Sequence, residues 1–316
     1  MFRRRALVLV LSAVALVLGT VGAPSSASAA SKPYPVPYLF LIPAIAAGLE
    51  LTAAAPGSND WNCKPSAAHP NPVVLTHGLA GNKNTNWRTF SPLLANEGYC
   101  VFALTYGVAP GTPLPANLFG GLTSMTKSAV ELSAFVDKVL AATKAKKVDI
   151  LGHSEGTVMP DYYAKYLGGA SKIDKYVSLA PLWHGTDPAG LGTLNAYGAA
   201  FGFGTLVDAG FAPFFASGPE LLTGSAFFTK LRAGGTTNVP GIKYTNIMTK
   251  YDELVQPYTS GFEPGATNIT IQDLCLIDFA EHFEIAADPT AADLVLNALD
   301  PKHPRKVRCE LVLPIL

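Results

Sequence analysis

The stretch Val148-Asp149-Ile150-Leu151-Gly152-His153-Ser154-Glu155-Gly156 decides how the rest of the chain is read. A short apolar run from Val148 to Leu151 ends at a serine set between two glycines, and polar, helix-forming sequence follows. Gly152-His153-Ser154-Glu155-Gly156 fits G-x-S-x-G, a sharp strand-to-helix turn that lifts a serine oxygen clear of its neighbours. The glycines suit such a turn because the strand and helix that it joins crowd one another. The same five residues would also fit an ordinary Gly-Ser turn, so their weight depends on what surrounds them.

Upstream, residues 71–78 form a short β-branched run closed by Gly78, and residues 99–106 carry Val101, Phe102 and Leu104; both predict buried strands. Between residues 128 and 143, Val130, Leu132, Phe135, Val136, Val139 and Leu140 recur at helical spacing. Lys138, Lys144, Lys146 and Lys147 lie towards or beyond the C-terminal end of this amphipathic helix. A second helix follows Ser154 as far as Gly168, a natural stop, with Pro160 inside it expected to bend or weaken one turn. Further strands are expected at 176–180, 243–249 and 268–271, and a last helix at 291–299. Strands alternating with helices predict an α/β fold, a mostly parallel sheet covered by helices on both faces. No internal repeat is present.

Residues 1–29 stand apart. Arg3, Arg4 and Arg5 give a basic start, residues 6–18 are apolar, and Ala27-Ser28-Ala29 offers a cleavage site, which is the pattern of a secretory signal peptide. The apolar run of 13 residues is short for a bilayer span, and the paired arginines leave twin-arginine export open. Residues 30–316 are then expected to form a single domain. The 23 basic and 23 acidic residues balance, and three of the basic ones fall in the leader, so the remainder is slightly acidic. With no basic stripe beyond residues 302–308, nucleic-acid binding is excluded. Residues 30–62, rich in Pro, Gly and Ala, read as an irregular lead-in. Within them, the apolar stretch 39–49, broken by Pro43, is expected to pack at the surface or against the core.

Four cysteines in an exported chain point to disulfides, and four allow three pairings. Cys63 with Cys100 and Cys275 with Cys309 are favoured, because each pair flanks neighbouring predicted elements. No C-x-x-C is present and no histidine adjoins a cysteine, which argues against a metal site.

Residues 185–229 hold nine glycines and eight aromatics but only three charges, Asp187, Asp208 and Glu220. So long a segment between core strands exceeds a simple connection. It predicts a cap inserted at about residues 185–235, over the strand ends where α/β sheets bind ligands. Added buried core is the other reading.

A serine hydroxyl needs a positioned base, and the base needs an orienting carboxylate. With a serine on this kind of turn, the acid and then the histidine follow in the chain. His184 comes too early, and His303 lies among Pro and basic residues, as a solvated side chain would. His282, between the last strand and the last helix, is the candidate base. Asp252 follows strand 243–249 and is the candidate acid, ahead of Glu253, Asp273 and Asp278. The oxyanion formed on attack needs backbone N–H donors, for which Glu155 and Leu79 are best placed. His77 and His153 read as polar residues at strand ends.

Residues 72–87 with their His77-Gly78-Leu79-Ala80-Gly81-Asn82 loop, Gly98-Tyr99-Cys100-Val101-Phe102, Gly152 to Gly156 and Tyr251-Asp252-Glu253 together resemble secreted bacterial triacylglycerol lipases. The likeness is to the α/β-hydrolase fold and to the actinobacterial group called lipase class 2, over residues 57–300. It implies a catalytic triad of Ser154, Asp252 and His282, oxyanion donors at Leu79 and Glu155, and a carboxylic ester substrate with an acyl chain. Glu155 departs from the many relatives that carry Gln or another residue there; turned inward, its carboxylate would lower activity. A secreted, monomeric ester hydrolase in contact with a lipid interface is therefore expected, extracellular or held at the cell envelope. No cofactor is implied, since neither a metal cluster nor a G-x-G-x-x-G after a strand is present. An acyltransferase or polyester hydrolase using the same triad, and a non-catalytic lipid-binding protein, remain the alternatives.

Overall fold

Six runs rich in β-branched and aromatic residues pair into one sheet: β1 (Val73–Thr76), β2 (Val101–Ala103), β3 (Val148–His153), β4 (Ile173–Leu179), β5 (Lys243–Met248) and β6 (Thr267–Thr270). Their order is β2-β1-β3-β4-β5-β6, every pair parallel. The computed structural model describes residues 33–48, 50, 52–114, 116–190, 192–193, 196 and 216–315. The leader expected at residues 1–29 and most of the expected cap, including Tyr197, Phe201, Phe203, Phe211, Phe214 and Phe215, lie outside the described residues.

Successive strand residues point to opposite faces, and the two faces are covered by different helices. On one, Val74, Phe102, Ile150, Tyr176 and Tyr244 are buried with Leu132, Val136 and Val139 of α3 and Val158 and Tyr162 of α4. On the other, Val73, Leu75, Leu151, Val177 and Ile247 are buried with Phe90 and Leu94 of α2 and Ala291, Val295 and Leu299 of α8. Here α2 is Phe90–Asn96, α3 Met125–Thr143, α4 Glu155–Tyr166 and α8 Pro289–Leu299. Burial on both sides explains why β1 (VVLT) and β2 (VFA) read as short, almost wholly apolar runs.

The apolar stretch at 39–49 forms α1 (Leu41–Gly48), which packs at the surface: only Ala47 is buried, and Ile42 and Ile45 are 67% and 58% exposed. The expected insertion supplies α5 (Ser217–Glu220) and α6 (Ala226–Leu231). Leu221, Phe227, Phe228 and Leu231 are buried in the α3/α4 core, and Phe227 stacks on Tyr162 at 5.8 Å. Residues 221–231 of the insertion thus contribute side chains to this core. A short α7 (Ile271–Leu274) precedes the loop that carries His282.

Both favoured cysteine pairs are bonded, Cys63–Cys100 with Cα atoms 5.7 Å apart and Cys275–Cys309 at 5.2 Å. The second ties the segment after α8 to the His282 loop. There Phe279 N–H donates to Val312 O at 3.0 Å, and Arg308 Nε pairs with Asp293 at 2.8 Å. Among the described residues, no helix is long and apolar enough to cross a membrane.

Pro160 leaves α4 continuous, because the carbonyl that it orphans finds another donor. Proline has no N–H for the Gly156 carbonyl, and Thr76 Oγ1 from the end of β1 donates to that oxygen instead, at 2.7 Å. Thr76→Val is expected to cost about 1–3 kcal/mol in urea unfolding, the usual penalty for an orphaned buried acceptor. In a Pro160→Ala background the cost should shrink, since the restored N–H can serve Gly156 O. Equal costs in both backgrounds would show that the bond carries no such load.

Candidate active site

Ser154 sits between β3 and α4 with φ 55° and ψ −125°, a sparsely populated conformation for a residue with a side chain. Its N–H donates to Leu179 O at 3.0 Å, and its carbonyl accepts from Thr157 N–H at 2.8 Å. The two flanking glycines are obligatory. A Cβ at Gly152 would lie 2.2 Å from Gly156 O, and one at Gly156 would lie 2.0 Å from Thr76 O.

The loop between α7 and α8 brings His282 onto this serine. His282 Nε2 lies 2.9 Å from Ser154 Oγ, and Nδ1 lies 2.9 and 3.0 Å from the two oxygens of Asp252. With Nδ1–H donating to the carboxylate, Nε2 presents its lone pair to the serine hydroxyl. Asp252, just past β5, also accepts from Leu254 N–H at 3.0 Å and Val255 N–H at 2.7 Å, which fixes its orientation. Burial by itself would lower the His282 pKa. The Asp252 carboxylate outweighs that effect by charge and hydrogen bond, Glu253 and Glu281 add to it, and the imidazole is raised above its ordinary value.

The loop after β1 approaches from the other side. A Cβ at Gly78 would come within 3.1 Å of Ser154 Cβ, so the backbone there lies almost on the serine. The loop is fixed by Ala80 N–H to Gly120 O (2.9 Å), Gly120 N–H to Gly81 O (2.8 Å) and Gly78 N–H to Asn86 Oδ1 (3.1 Å). Among the described residues, the Leu79 and Glu155 N–H groups have no hydrogen-bond acceptor. Ser154, Asp252 and His282 thus converge, with Leu79 and Glu155 beside the serine. Because β1 is flanked by β2 on one side and β3 on the other, the crevice between the β1 and β3 ends is where the chain reverses direction across the sheet. Ligands bind at such a point in open α/β sheets.

The competing candidates lie elsewhere. His184 is half-exposed beside Phe262 O and Glu263, His303 pairs with Asp300 at the surface, and Asp273 bonds Lys250. Asp278 is buried and accepts from Ala280 N–H in the base loop.

Two histidines do more than end strands. His153 Nε2 lies 2.8 Å from His282 O, so the elbow and the base loop are joined side chain to backbone. His77 Nδ1 donates to Gly78 O at 2.8 Å, its ring stacks on Tyr106 at 4.1 Å, and the Tyr106 hydroxyl donates back to His77 O. Burial pushes both imidazoles down, His77 to about 4 and His153 to about 3. The Glu155 side chain turns inward and is fully buried. Phe283, next to His282, packs on Phe40 just before α1 at 5.7 Å. Among the described residues, no group of three or more His, Cys, Asp or Glu side chains is placed to hold a metal ion.

A parallel sheet covered on both faces, with a serine on a strained strand-to-helix turn at its crevice, defines an α/β-hydrolase. Solved structures agree on the fold. Aspergillus fumigatus lipase B superposes with a TM-score of 0.58 at 19% identity, covering 81% of this chain and 57% of that one. Mature Bacillus licheniformis lipase BlEst2 gives 0.51 at 16% identity, covering 78% and 96%. The family model for Lipase (class 2) matches residues 70–295, and the chain belongs to that family. It is 30% identical to a triacylglycerol lipase of Burkholderia plantarii over 182 residues, covering 52% of this chain and 46% of that protein. It is also 30% identical to a triacylglycerol lipase of Pseudarthrobacter phenanthrenivorans over 159 residues, covering 45% and 46%. The chain thus spans about half the length of the curated relatives that it matches.

By NMR titration, His282 is expected to protonate above the ordinary imidazole value of about 6.5 and to fall below it in Asp252→Asn. His77 and His153 should stay neutral to about 4 and about 3. A wild-type His282 titrating below 6.5 would contradict the balance of burial and charge described here.

Proposed function

We propose that this chain is a secreted serine hydrolase of carboxylic esters with acyl chains, acting on acylglycerols or related lipids. The observation that carries the reading is the relay Ser154 Oγ to His282 Nε2 at 2.9 Å and His282 Nδ1 to Asp252 at 2.9 Å, beside two unengaged N–H groups. Ser154 Oγ attacks the ester carbonyl while His282 Nε2 takes its proton, and Asp252 holds the imidazolium that forms. The Leu79 and Glu155 N–H groups receive the oxyanion. Collapse expels the alcohol, which takes the proton from His282 and leaves an acyl-serine. Water then attacks that ester, giving its proton to His282, and the departing Ser154 recovers it as the carboxylic acid is released. Each group returns to its starting state, so no cofactor is consumed.

The lipid preference draws support from family membership and from the apolar surface near the base. Ile42 and Ile45 of α1 are exposed, and the adjoining Phe40 packs on Phe283 beside His282, a surface suited to an acyl-chain interface. Two disulfides and the leader-like start of the chain support export. The reading takes the enzyme to act as a monomer, freely extracellular or at the cell envelope.

Initial rates on p-nitrophenyl esters from acetyl to palmitoyl test it. The wild type should favour the longer chains, and Ser154→Ala should lower kcat by about three orders of magnitude or more. A fluorophosphonate should label the wild type at Ser154 and not the variant. A folded wild type that neither hydrolyses the esters nor labels would defeat the proposal.

A further inference from the structure

Glu155 does two things at once. Its backbone N–H faces the serine, while its side chain runs inward and is 0% exposed, against the back of the loops that shape the site. A Cβ built on Gly121 would lie 3.0 and 3.3 Å from the two Glu155 oxygens and 3.2 Å from Leu79 Cα. The carboxyl therefore sits between the segment at residues 120–121 and the loop bearing the other oxyanion donor. Neither of its oxygens accepts a hydrogen bond from a described residue. An ionised carboxylate, with no donor and no water-facing surface, would be very costly there.

The neighbouring hydroxyls show which form the site accommodates. Tyr106 and Ser217 are hydroxyls near enough to bear on Glu155, where a proton donated to it would lower its pKa. Both have already committed their protons, Tyr106 to His77 O and Ser217 to Gly121 O. With those protons committed, neither hydroxyl donates to Glu155, and each turns only an oxygen lone pair towards it, which favours a carboxyl that carries its own proton. The remaining groups facing this spot point the same way. Glu220 of α5, which accepts from Ser124 Oγ and Met125 N–H, and Glu131 of α3, which accepts from Gly107 N–H, are carboxyl groups. His77, stacked on Tyr106, is neutral. Burial first, and then the Glu220 charge, push the Glu155 carboxyl well above the usual carboxylate range.

We propose that Glu155 is a positioning residue held as the neutral carboxylic acid, its single O–H turned to the oxygen of Tyr106 or Ser217. In that form it braces the loops carrying the oxyanion donors, and its ionisation disarms the site. A charge beside the loop of Leu79 opposes the oxyanion, which at a protein-like dielectric slows acyl transfer on the order of 100-fold. The ground-state ester carries no such charge, so the loss falls on kcat and spares KM.

The kinetic consequence rests on the ester-hydrolase reading; the protonation state does not, and the two are tested separately. Because other buried carboxyls such as Asp288 are also raised, the reading is a difference: infrared spectra of the folded wild type minus Glu155→Gln at pH 7 should show a neutral carboxylic acid carbonyl band. Glu155 stays protonated in the fold but ionises near 4.3 in the unfolded chain, so its contribution to stability is full below about 4.3 and is lost as pH rises towards its folded pKa. Glutamine suffers no such loss, so the Tm of Glu155→Gln should gain on wild type steadily above that pH. In kinetics, kcat of Glu155→Gln should exceed that of Glu155→Ala by on the order of 10-fold, because the amide can donate to the same oxygens, and it should lack the alkaline fall of the wild type. A missing infrared band or a pH-independent Tm difference would overturn the neutral acid. Equal kcat values for Gln and Ala in a protein whose wild type hydrolyses esters would overturn the bracing role alone.

Discussion

A methyl group at Gly156 would lie 2.0 Å from the Thr76 carbonyl oxygen, and this closeness of α4 to β1 governs the site. Ser154 is the residue before α4, and Leu79 lies three residues beyond β1. The spacing between Ser154 and Leu79, the proposed nucleophile and oxyanion donor, is therefore set largely by contact between backbones. The same crossing explains why the helix tolerates a proline at 160, since Thr76 is near enough to take over the orphaned carbonyl. Strain at Ser154 persists because the bonds to Leu179 and Thr157 and the two glycine contacts over-determine it.

Charge at the centre shows how little separates a base from an inert ring. His153 and His282 are both buried, with ring centroids 5.0 Å apart. Burial lowers both, yet His153 falls to about 3 while His282 is raised. The difference is a carboxylate: Asp252 contacts His282, whereas His153 faces a backbone carbonyl and the Asn86 amide oxygen. Further carboxyls crowd the base loop, and burial lifts Glu253 and Glu284 to about 7 and Asp288 to about 8. Part of the negative charge around His282 is thereby held back near neutral pH, while Asp252 is the carboxylate hydrogen-bonded to its ring.

The sheet was legible because its strands carry β-branched and aromatic residues such as Val73, Val74, Ile150, Tyr176, Val177, Tyr244 and Ile247 that end up buried. The helix α2 was not: Pro92 lies within its first turn, and Thr89 makes no side-chain cap, so neither pattern nor capping announces it. Ser154, Asp252 and His282 were within reach because their order along the chain is constrained by the turn that carries the serine. The part played by His153 was hidden, since its partner is 129 residues away and only the folded sheet brings them together. The surroundings of Glu155 were hidden for the same reason. Tyr106 and Ser217 come from separate segments, and nothing local in the sequence marks them as its neighbours.

The segment following α8 adds a temporal dimension. A chain made from its N-terminus presents Ser154 and the β1 loop well before it presents His282, and the base loop is then tied to still later residues. Val312 pairs with the backbone at Asp278 and Phe279, and Cys309 bonds Cys275. Domains fold as units, so the loop that carries His282 is fixed only once Cys309 and Val312 have joined it. The second disulfide also needs an oxidising environment to close. The contact of His282 with Ser154 thus depends on residues made well after either, and its last covalent tie closes only where thiols oxidise.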